Sequence, residues 1–154
     1  MENTVSSFLP VWACLASLLA VPLIVLFRKE IFLREFSTFT AGFIKLGLVL
    51  AMLPVILDGK VITTTLVPAV SGINVPIEFR VDALGILFAL VASSLWIVTS
   101  LYGVGYMRGL REHSQTRFFA FFAVSLSATL GVAFAGNLLT LYLFYEMLSL
   151  ATWP

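Results

Sequence analysis

The stretch FLPVWACLASLLAVPLIVLF, residues 8–27, contains no charged side chain. About 20 apolar residues in a helix are enough to cross the hydrocarbon core of a bilayer, so this stretch predicts a transmembrane helix. A cleaved signal peptide would have basic residues before the apolar run and a small-residue cleavage site after it. Here Glu2 precedes the run, and Arg28 and Lys29 follow it. We therefore expect the segment to be retained as a first span.

The composition of the whole chain is that of a membrane protein. Of its 154 residues, 60% are hydrophobic and 11% are charged, against about 45–50% and about 25% in soluble domains. The formal net charge is +1 and the basic residues form no patch, so we expect no nucleic-acid partner. Cys14 is the single cysteine, which excludes a disulfide or a thiolate cluster within the chain. The predicted fold class is an all-α, polytopic transmembrane helix bundle.

Further apolar segments bring the prediction to five spans in a single membrane domain, residues 1–154. The spans cover about residues 8–27, 37–57, 81–106, 118–135 and 137–154. Residues 58–80, between the second and third spans, are rich in β-branched residues and contain prolines and glycines. This composition predicts a short β-hairpin outside the membrane.

Lysine and arginine are unequally distributed between the loops. The segment 58–80 contains Lys60 and Arg80, whereas the links after the first and third spans contain Arg28, Lys29, Arg34, Arg108, Arg111 and Arg117. Cytoplasmic loops carry an excess of basic residues. We therefore expect a multi-pass protein of a cell membrane, most simply the prokaryotic cytoplasmic membrane, with the N-terminus and the hairpin facing outward.

One carboxylate lies inside an apolar span, in LYLFYEMLSL, residues 141–150. Glu146 is nine residues after Asn137, so at about 1.5 Å per residue it lies near the middle of a core about 30 Å thick. Ionisable residues at this depth are costly and are usually functional. Tyr142 and Ser149 lie on the same helical face, and we expect this polar lane to face the bundle interior. The alternative is a structural glutamate that bonds to a neighbouring helix.

Other polar residues have simpler explanations. Lys45 is a weaker candidate for an intramembrane charge, because we expect its long stem to reach the nearer interface. Asp82 precedes the third span, where a carboxylate is typical of a helix N-terminus. His113 has no second ligand at metal-binding spacing, so we predict no metal site. The fourth span contains a stripe of small residues at four-residue spacing, Ser127, Gly131 and Ala135. Such a stripe predicts close packing with another helix.

Two long stretches resemble a known family. They are FRVDALGILFALVASSLWIVTSLYGVGYM, residues 79–107, and RFFAFFAVSLSATLGVAFAGNLLTLYLFYEMLSLATWP, residues 117–154. The distinctive pieces are the F-x-V-D-x-L entry to the third span, its L-Y-x-x-x-Y exit and the Y-E-M-L pattern in the fifth. Together they are similar to the antiporter-like proton-translocating subunits of respiratory complex I, multisubunit Na⁺/H⁺ (Mrp) antiporters and membrane-bound hydrogenases, and resemble the D-type Mrp subunit in particular.

The resemblance implies the N-terminal portion of a 14-helix subunit that translocates protons, or Na⁺ as a second cation. In the family, the glutamate that matches Glu146 pairs with a lysine of the seventh helix. We expect the remaining helices of the subunit to be supplied by a longer chain, and the alternative is that a separate chain supplies them. We also expect other membrane subunits as partners. The complex could be redox-driven, as in an NADH:quinone oxidoreductase, but we predict no catalytic redox site and no cofactor here. The alternative function is a small accessory membrane subunit that packs against other helices.

Overall fold

The computed structural model describes residues 4–68, 75–109 and 115–153. Within these ranges the chain forms five α-helices and three short β-strands. The helices are α1 Leu9–Leu26, α2 Ile31–Leu57, α3 Ala83–Gly109, α4 Gln115–Ala133 and α5 Leu138–Thr152. The strands are β1 Thr4–Ser6, β2 Val61–Val67 and β3 Ile77–Val81. The predicted fold class, a polytopic helix bundle with a small hairpin, is confirmed.

Four helices, α1 to α4, are long and apolar enough to cross a membrane, while α5 is an apolar helix of 15 residues. The largest difference from the predicted spans is at α2, which begins at Ile31 rather than near residue 37. This earlier start brings Arg34 and Glu35 into the helix, where both side chains are buried. Charged residues are tolerated there because partners on neighbouring helices satisfy them, which the sequence pattern does not reveal.

The three strands form one small sheet in the order β1-β2-β3. Strands β2 and β3 are antiparallel, with Ile62 opposite Val81, as the hairpin prediction requires. Strand β1 pairs in parallel with β2 and was not predicted, since a strand of three residues is too short to show an alternating pattern. The predicted turn of the hairpin includes residues 69–74, which lie outside the described residues.

Local signals fix where several helices begin and end. Gly59, with φ of 74°, follows the last turn of α2 and starts the chain toward β2. The Asp82 carboxylate accepts a hydrogen bond of 2.7 Å from the backbone N–H of Gly85. The predicted capping role of Asp82 is thereby confirmed. Asn137 caps α5 in the same way, because its side-chain oxygen accepts from the N–H of Thr140 at 2.9 Å.

The helices pack with α1 between α2 and α4, α3 against α2, and α5 against α4. Two apolar clusters fill the interior. The cluster next to the sheet includes Val49, Met52, Phe79 and Phe134, and we call this end of the bundle the sheet end. The other cluster includes Ala20, Ile24, Ala41, Trp96, Phe119 and Ala123. It lies toward the opposite end, where α2 begins near Arg34, and we call this the arginine end.

Candidate functional site

Glu146 lies in the middle of α5, on the face turned away from the other four helices. Its side chain is exposed, as are those of Tyr142 and Ser149. The opposite face of α5 packs against the bundle and buries Thr140 and Ala151. The prediction that the polar lane faces the interior of this bundle is therefore wrong. Tyr142, Glu146 and Ser149 form a lane on its surface.

The orientation of α5 is set by the contact between Phe144 and Gly131 of α4. The Phe144 ring occupies the space that a Cβ at residue 131 would fill, and it also contacts Phe79 with ring centroids 5.2 Å apart. Two residues along an α-helix correspond to a rotation of about 200°, so Glu146 points away when Phe144 points inward. Helical spacing predicted which residues share the lane, but it could not predict which side of α5 packs against α4.

The predicted stripe of small residues has two different neighbours. Ser127 is buried and donates a hydrogen bond of 2.8 Å to the carbonyl oxygen of Cys14 on α1. Gly131 receives Phe144 of α5. Ala135 lies beyond the end of α4 and forms an isolated bridge with Phe79 of β3. The first two residues therefore allow close packing of helices, while the third connects α4 to the sheet.

Lys45 is fully buried inside the bundle. Its Nζ donates a hydrogen bond of 3.1 Å to the carbonyl oxygen of Leu126 on α4 and lies 4.9 Å from the centroid of the Trp96 ring on α3. A carbonyl oxygen and an indole face are both favourable neighbours for an ammonium group. Lys45 therefore has polar contacts in the interior, on helices that are far from it in sequence.

The prediction that Lys45 reaches the nearer interface is wrong. It assumed that the second span begins near residue 37, but α2 begins at Ile31. Fourteen residues then separate Lys45 from the first residue of the helix, a distance of about 21 Å along the axis. A lysine stem is too short to cover that distance, so the ammonium stays inside.

Several buried polar atoms of α1 and α3 have no hydrogen-bond partner among the described residues. They are the Oγ atoms of Ser17 on α1 and of Ser93 and Ser100 on α3, together with Nε1 of Trp96. Sequence reasoning missed this cluster because a single serine in an apolar helix is a weak signal, since its hydroxyl can bond to the backbone of its own helix. Only the packing of the helices, which places Trp96 of α3 and Cys14 of α1 next to Lys45, makes these polar atoms part of its surroundings.

Charged side chains join three helices at the arginine end. Arg34 of α2 donates to Gln115 Oε1 at 2.6 Å and to Thr116 Oγ1 at 3.3 Å at the start of α4. Glu35 accepts two hydrogen bonds from the Arg108 guanidinium near the end of α3, at 3.0 and 2.5 Å. Two-point pairing of this kind is stronger than a single contact. The start of α2 is thus tied to both neighbouring helices.

Within residues 4–68, 75–109 and 115–153, no three His, Cys, Asp or Glu side chains lie together as a metal site would require. His113 lies outside the described residues. Cys14 is buried and not part of a disulfide. The two candidate sites among the described residues are the surface lane around Glu146 and the buried polar residues around Lys45.

Comparison with known proteins gives the family. Residues 67–119 match the family described as NADH-Ubiquinone oxidoreductase (complex I), chain 5 N-terminus. Over 145 residues the chain is 30% identical to the antiporter protein mnhA2 of Staphylococcus haemolyticus, an alignment that covers 90% of this chain and 18% of that protein. This chain belongs to the antiporter-like membrane subunits of the complex I and Mrp type.

Two more relatives agree with that membership. The antiporter-like chain is 33% identical over 86 residues to the A-type Na⁺/H⁺ antiporter subunit of Alkalihalophilus pseudofirmus, covering 56% of this chain and 11% of that protein. The same fold occurs in a chain of the membrane-bound sulfane sulfur reductase, an archaeal respiratory membrane complex, with a TM-score of 0.74. The sequence identity is 21%, and the match covers 90% of this chain and 21% of the reductase chain.

The resemblance that the sequence suggested is thus confirmed for the family. We related the chain to the D-type Mrp subunit in particular, whereas the antiporter proteins named above are mnhA2 and an A-type subunit. This antiporter-like chain spans about a fifth of the length of its relatives, 18% of mnhA2 and 21% of the reductase chain. The antiporter relatives named above are subunits, and the reductase chain belongs to a respiratory membrane complex.

Proposed function

We propose that this chain is the N-terminal part of a subunit that translocates protons or cations across a cell membrane, with Glu146 as a proton-exchanging carboxylate. The observation that carries the proposal is the place of Glu146 in the middle of an apolar helix, exposed on the outer face of the bundle. A carboxylate on such a face would meet hydrocarbon if lipid covered it, and that arrangement is costly. We infer that protein covers this face instead.

The neighbours of Glu146 support a protein-covered face. Tyr142 is 58% exposed and Tyr145 is 55% exposed, and both carry a hydroxyl that seeks a hydrogen-bond partner when it is buried. A helix with a basic or hydroxyl side chain would satisfy these groups and the carboxylate together. We propose that this helix belongs to the remainder of the same subunit or to another membrane subunit.

A carboxylate between protein helices can alternate between two states. It pairs with a nearby cation when ionised, and it becomes a neutral hydrogen-bond donor when it takes up a proton from water. Movement of the cation toward and away from Glu146 would couple proton uptake to a rearrangement of charge. Protons are the proposed cargo, and Na⁺ is the second candidate because relatives are named Na⁺/H⁺ antiporter subunits.

The proposed orientation places the arginine end in the cytoplasm and the sheet and N-terminus outside. It follows from the basic residues, since Arg28, Lys29, Arg34 and Arg108 all lie at the arginine end, where the positive-inside rule expects them on the cytoplasmic side. In this orientation α5 enters from the outer face. Glu146 is then reached from outside by about 13–14 Å of helix.

The test replaces Glu146 in the assembled complex and measures ion transport in inverted vesicles, normalised to the amount of complex. Glu146→Gln keeps the shape and the hydrogen bonding of the side chain but cannot titrate, so we expect it to assemble and to lose most transport. Glu146→Asp keeps a titrating group on a shorter stem and should retain part of the activity. Glu30→Gln is the matched control, because Glu30 is exposed at the start of α2 and makes no side-chain capping bond.

A purely structural glutamate would give the opposite order. The Gln variant would then be tolerated, because a neutral amide is easier to bury than a carboxylate, and the Asp variant would be worse, because it no longer reaches its partner. Near wild-type transport in Glu146→Gln would therefore exclude proton exchange at this residue and favour an accessory, packing function for the chain.

A further inference from the structure

The environment of Lys45 differs from that of an ordinary buried ion pair. From α1 it is faced by Cys14, from α3 by Trp96 and from α4 by the carbonyl oxygen of Leu126. Lys45 forms no ion pair with a carboxylate among the described residues. An ammonium group has three N–H donors, and one of them is used by Leu126.

Polar groups without partners lie on α1 and α3, the helices that carry the neighbours Cys14 and Trp96 of this ammonium. Ser93 and Trp96 are one helical turn apart on α3, and both have buried polar atoms without partners among the described residues. Ser17 is one turn from Cys14 on α1, and its Oγ is also unpaired there. A buried polar group without a partner destabilises the folded state. Internal water is the usual way in which proteins avoid that cost.

On α2 and α3, buried polar residues continue from the level of Lys45 toward the arginine end. On α2 the buried residues between Lys45 and the arginine end include Thr38 and Arg34, and on α3 they include Ser100. A Cβ at Gly42 would lie 3.8 Å from the Trp96 ring, so the antiparallel helices α2 and α3 place Ser100 near the level of Thr38. The hydroxyls of Thr38 and Ser100 therefore lie between Lys45 and the arginine end, on the same stretch of the interior as the apolar cluster of Ile24, Ala41 and Phe119.

Toward the sheet end the buried residues of α2 and α3 are apolar. The buried residues of α2 after Lys45 are Val49, Met52 and Ile56, and they pack in the cluster with Phe79 and Phe134. A buried amine with hydroxyls on one side of it, and only apolar buried residues of α2 and α3 on the other, is the arrangement expected of a site that is reached by water from one side.

We propose that Lys45 is a second proton-exchanging site, hydrated by internal water on Ser17, Ser93 and Trp96 and reached from the arginine end. On release, an N–H bond of the ammonium breaks and the proton joins a water molecule, which leaves a neutral amine. On uptake a hydronium ion gives a proton to the lone pair of the amine and is left as water. Ser100 and Thr38 relay the proton through their hydroxyls or through the water they hold. The proposal concerns α1 to α4 and does not require that Glu146 exchanges protons.

The first measurement tests hydration in the wild-type complex by hydroxyl-radical footprinting with an X-ray beam. Radicals formed from internal water label side chains that touch it, so Trp96 should be oxidised although it is only 1% exposed. Met52 is the internal control, because it is 0% exposed and lies in the apolar cluster, and its thioether is readily oxidised where water is present. Ser93→Ala should lower the labelling of Trp96. Protection of Trp96 equal to that of Met52 would show a dry interior and overturn the proposal.

The second measurement uses transport by complexes with Lys45→Met or Lys45→Arg. Methionine cannot carry a proton, and arginine does not release one in proteins, so we expect both variants to lose most transport. A merely structural ammonium would be replaced by arginine without a change in the pH profile. Lys29→Met is the control, since Lys29 is exposed. Wild-type transport by assembled Lys45→Met, or a wild-type rate and pH profile for Lys45→Arg, would overturn the proposal. If neither variant assembles, the footprint of Trp96 decides.

Discussion

Gly131→Ala is the smallest change that should disturb the packing of α5. A Cβ at residue 131 would overlap the ring of Phe144, and the ring cannot simply rotate away because it also packs against Phe79. The variant must therefore move α5 away from α4 or force Phe144 out of its rotamer. Either response weakens the contact that turns Glu146 toward the outer face.

The expected cost is that of overpacking a well-packed interior, about 1–3 kcal/mol. Within a membrane, helix association depends mainly on close packing, so most of this cost should appear as weaker association of α5 with α4. Gly105→Ala is a matched control, because a Cβ at Gly105 of α3 has open space around it. That variant should be neutral or slightly stabilising, since alanine favours a helix by about 1 kcal/mol over glycine.

The assay is the thermal stability and the yield of the assembled complex after mild detergent extraction. A double-mutant cycle with Phe144→Ala isolates the contact. In the Phe144→Ala background the ring is absent, so Gly131→Ala should cause no further loss. Equal stability of the Gly131→Ala and Gly105→Ala complexes would refute the packing argument, as would a full additive loss in the double variant.

The ion pair at the arginine end and the topology give two more predictions. Glu35→Gln or Arg108→Gln should lower the yield of complex, because either change removes the two-point pairing. The double variant Glu35→Arg with Arg108→Glu should recover part of that yield. No recovery would mean that the pair does not hold α2 to α3. Lys29 and Asp58 are exposed and lie at opposite ends of α2. In the single variants Lys29→Cys and Asp58→Cys, the thiols should react with membrane-impermeant reagents from opposite sides of the membrane. Labelling from the same side would contradict the proposed topology.

Helices α1 to α4 could be recognised in the sequence because a bilayer imposes a length and an apolar composition on every helix that crosses it. The start of α2 could not, since Arg34 and Glu35 look like a loop in sequence. They are accommodated in a helix by Gln115 and Arg108, 81 and 73 residues away. A charged residue near a span is thus ambiguous until its partners are known.

The candidate sites show the same limit. Glu146 was predictable because one ionisable residue inside an apolar run is conspicuous, but the side of α5 on which it lies depends on the fit of Phe144 against Gly131. Lys45 was visible as well, yet its burial depends on Leu126 and Trp96 from two other helices. Residue type is readable from the sequence, whereas burial is a property of packing.

Helix α4 contacts both candidate sites, which allows their contributions to be separated. Its Leu126 carbonyl accepts the hydrogen bond from Lys45, and its Gly131 receives Phe144. Five residues correspond to a rotation of about 500°, so the two contacts lie about 140° apart around α4 and about 7.5 Å apart along it. Alanine at 131 should therefore shift α5 without breaking the Lys45 bond. If the Gly131→Ala complex loses transport while the labelling of Trp96 is unchanged, the loss arises at the Glu146 face. If the labelling of Trp96 changes too, α4 itself has moved, and the two sites are mechanically connected through it.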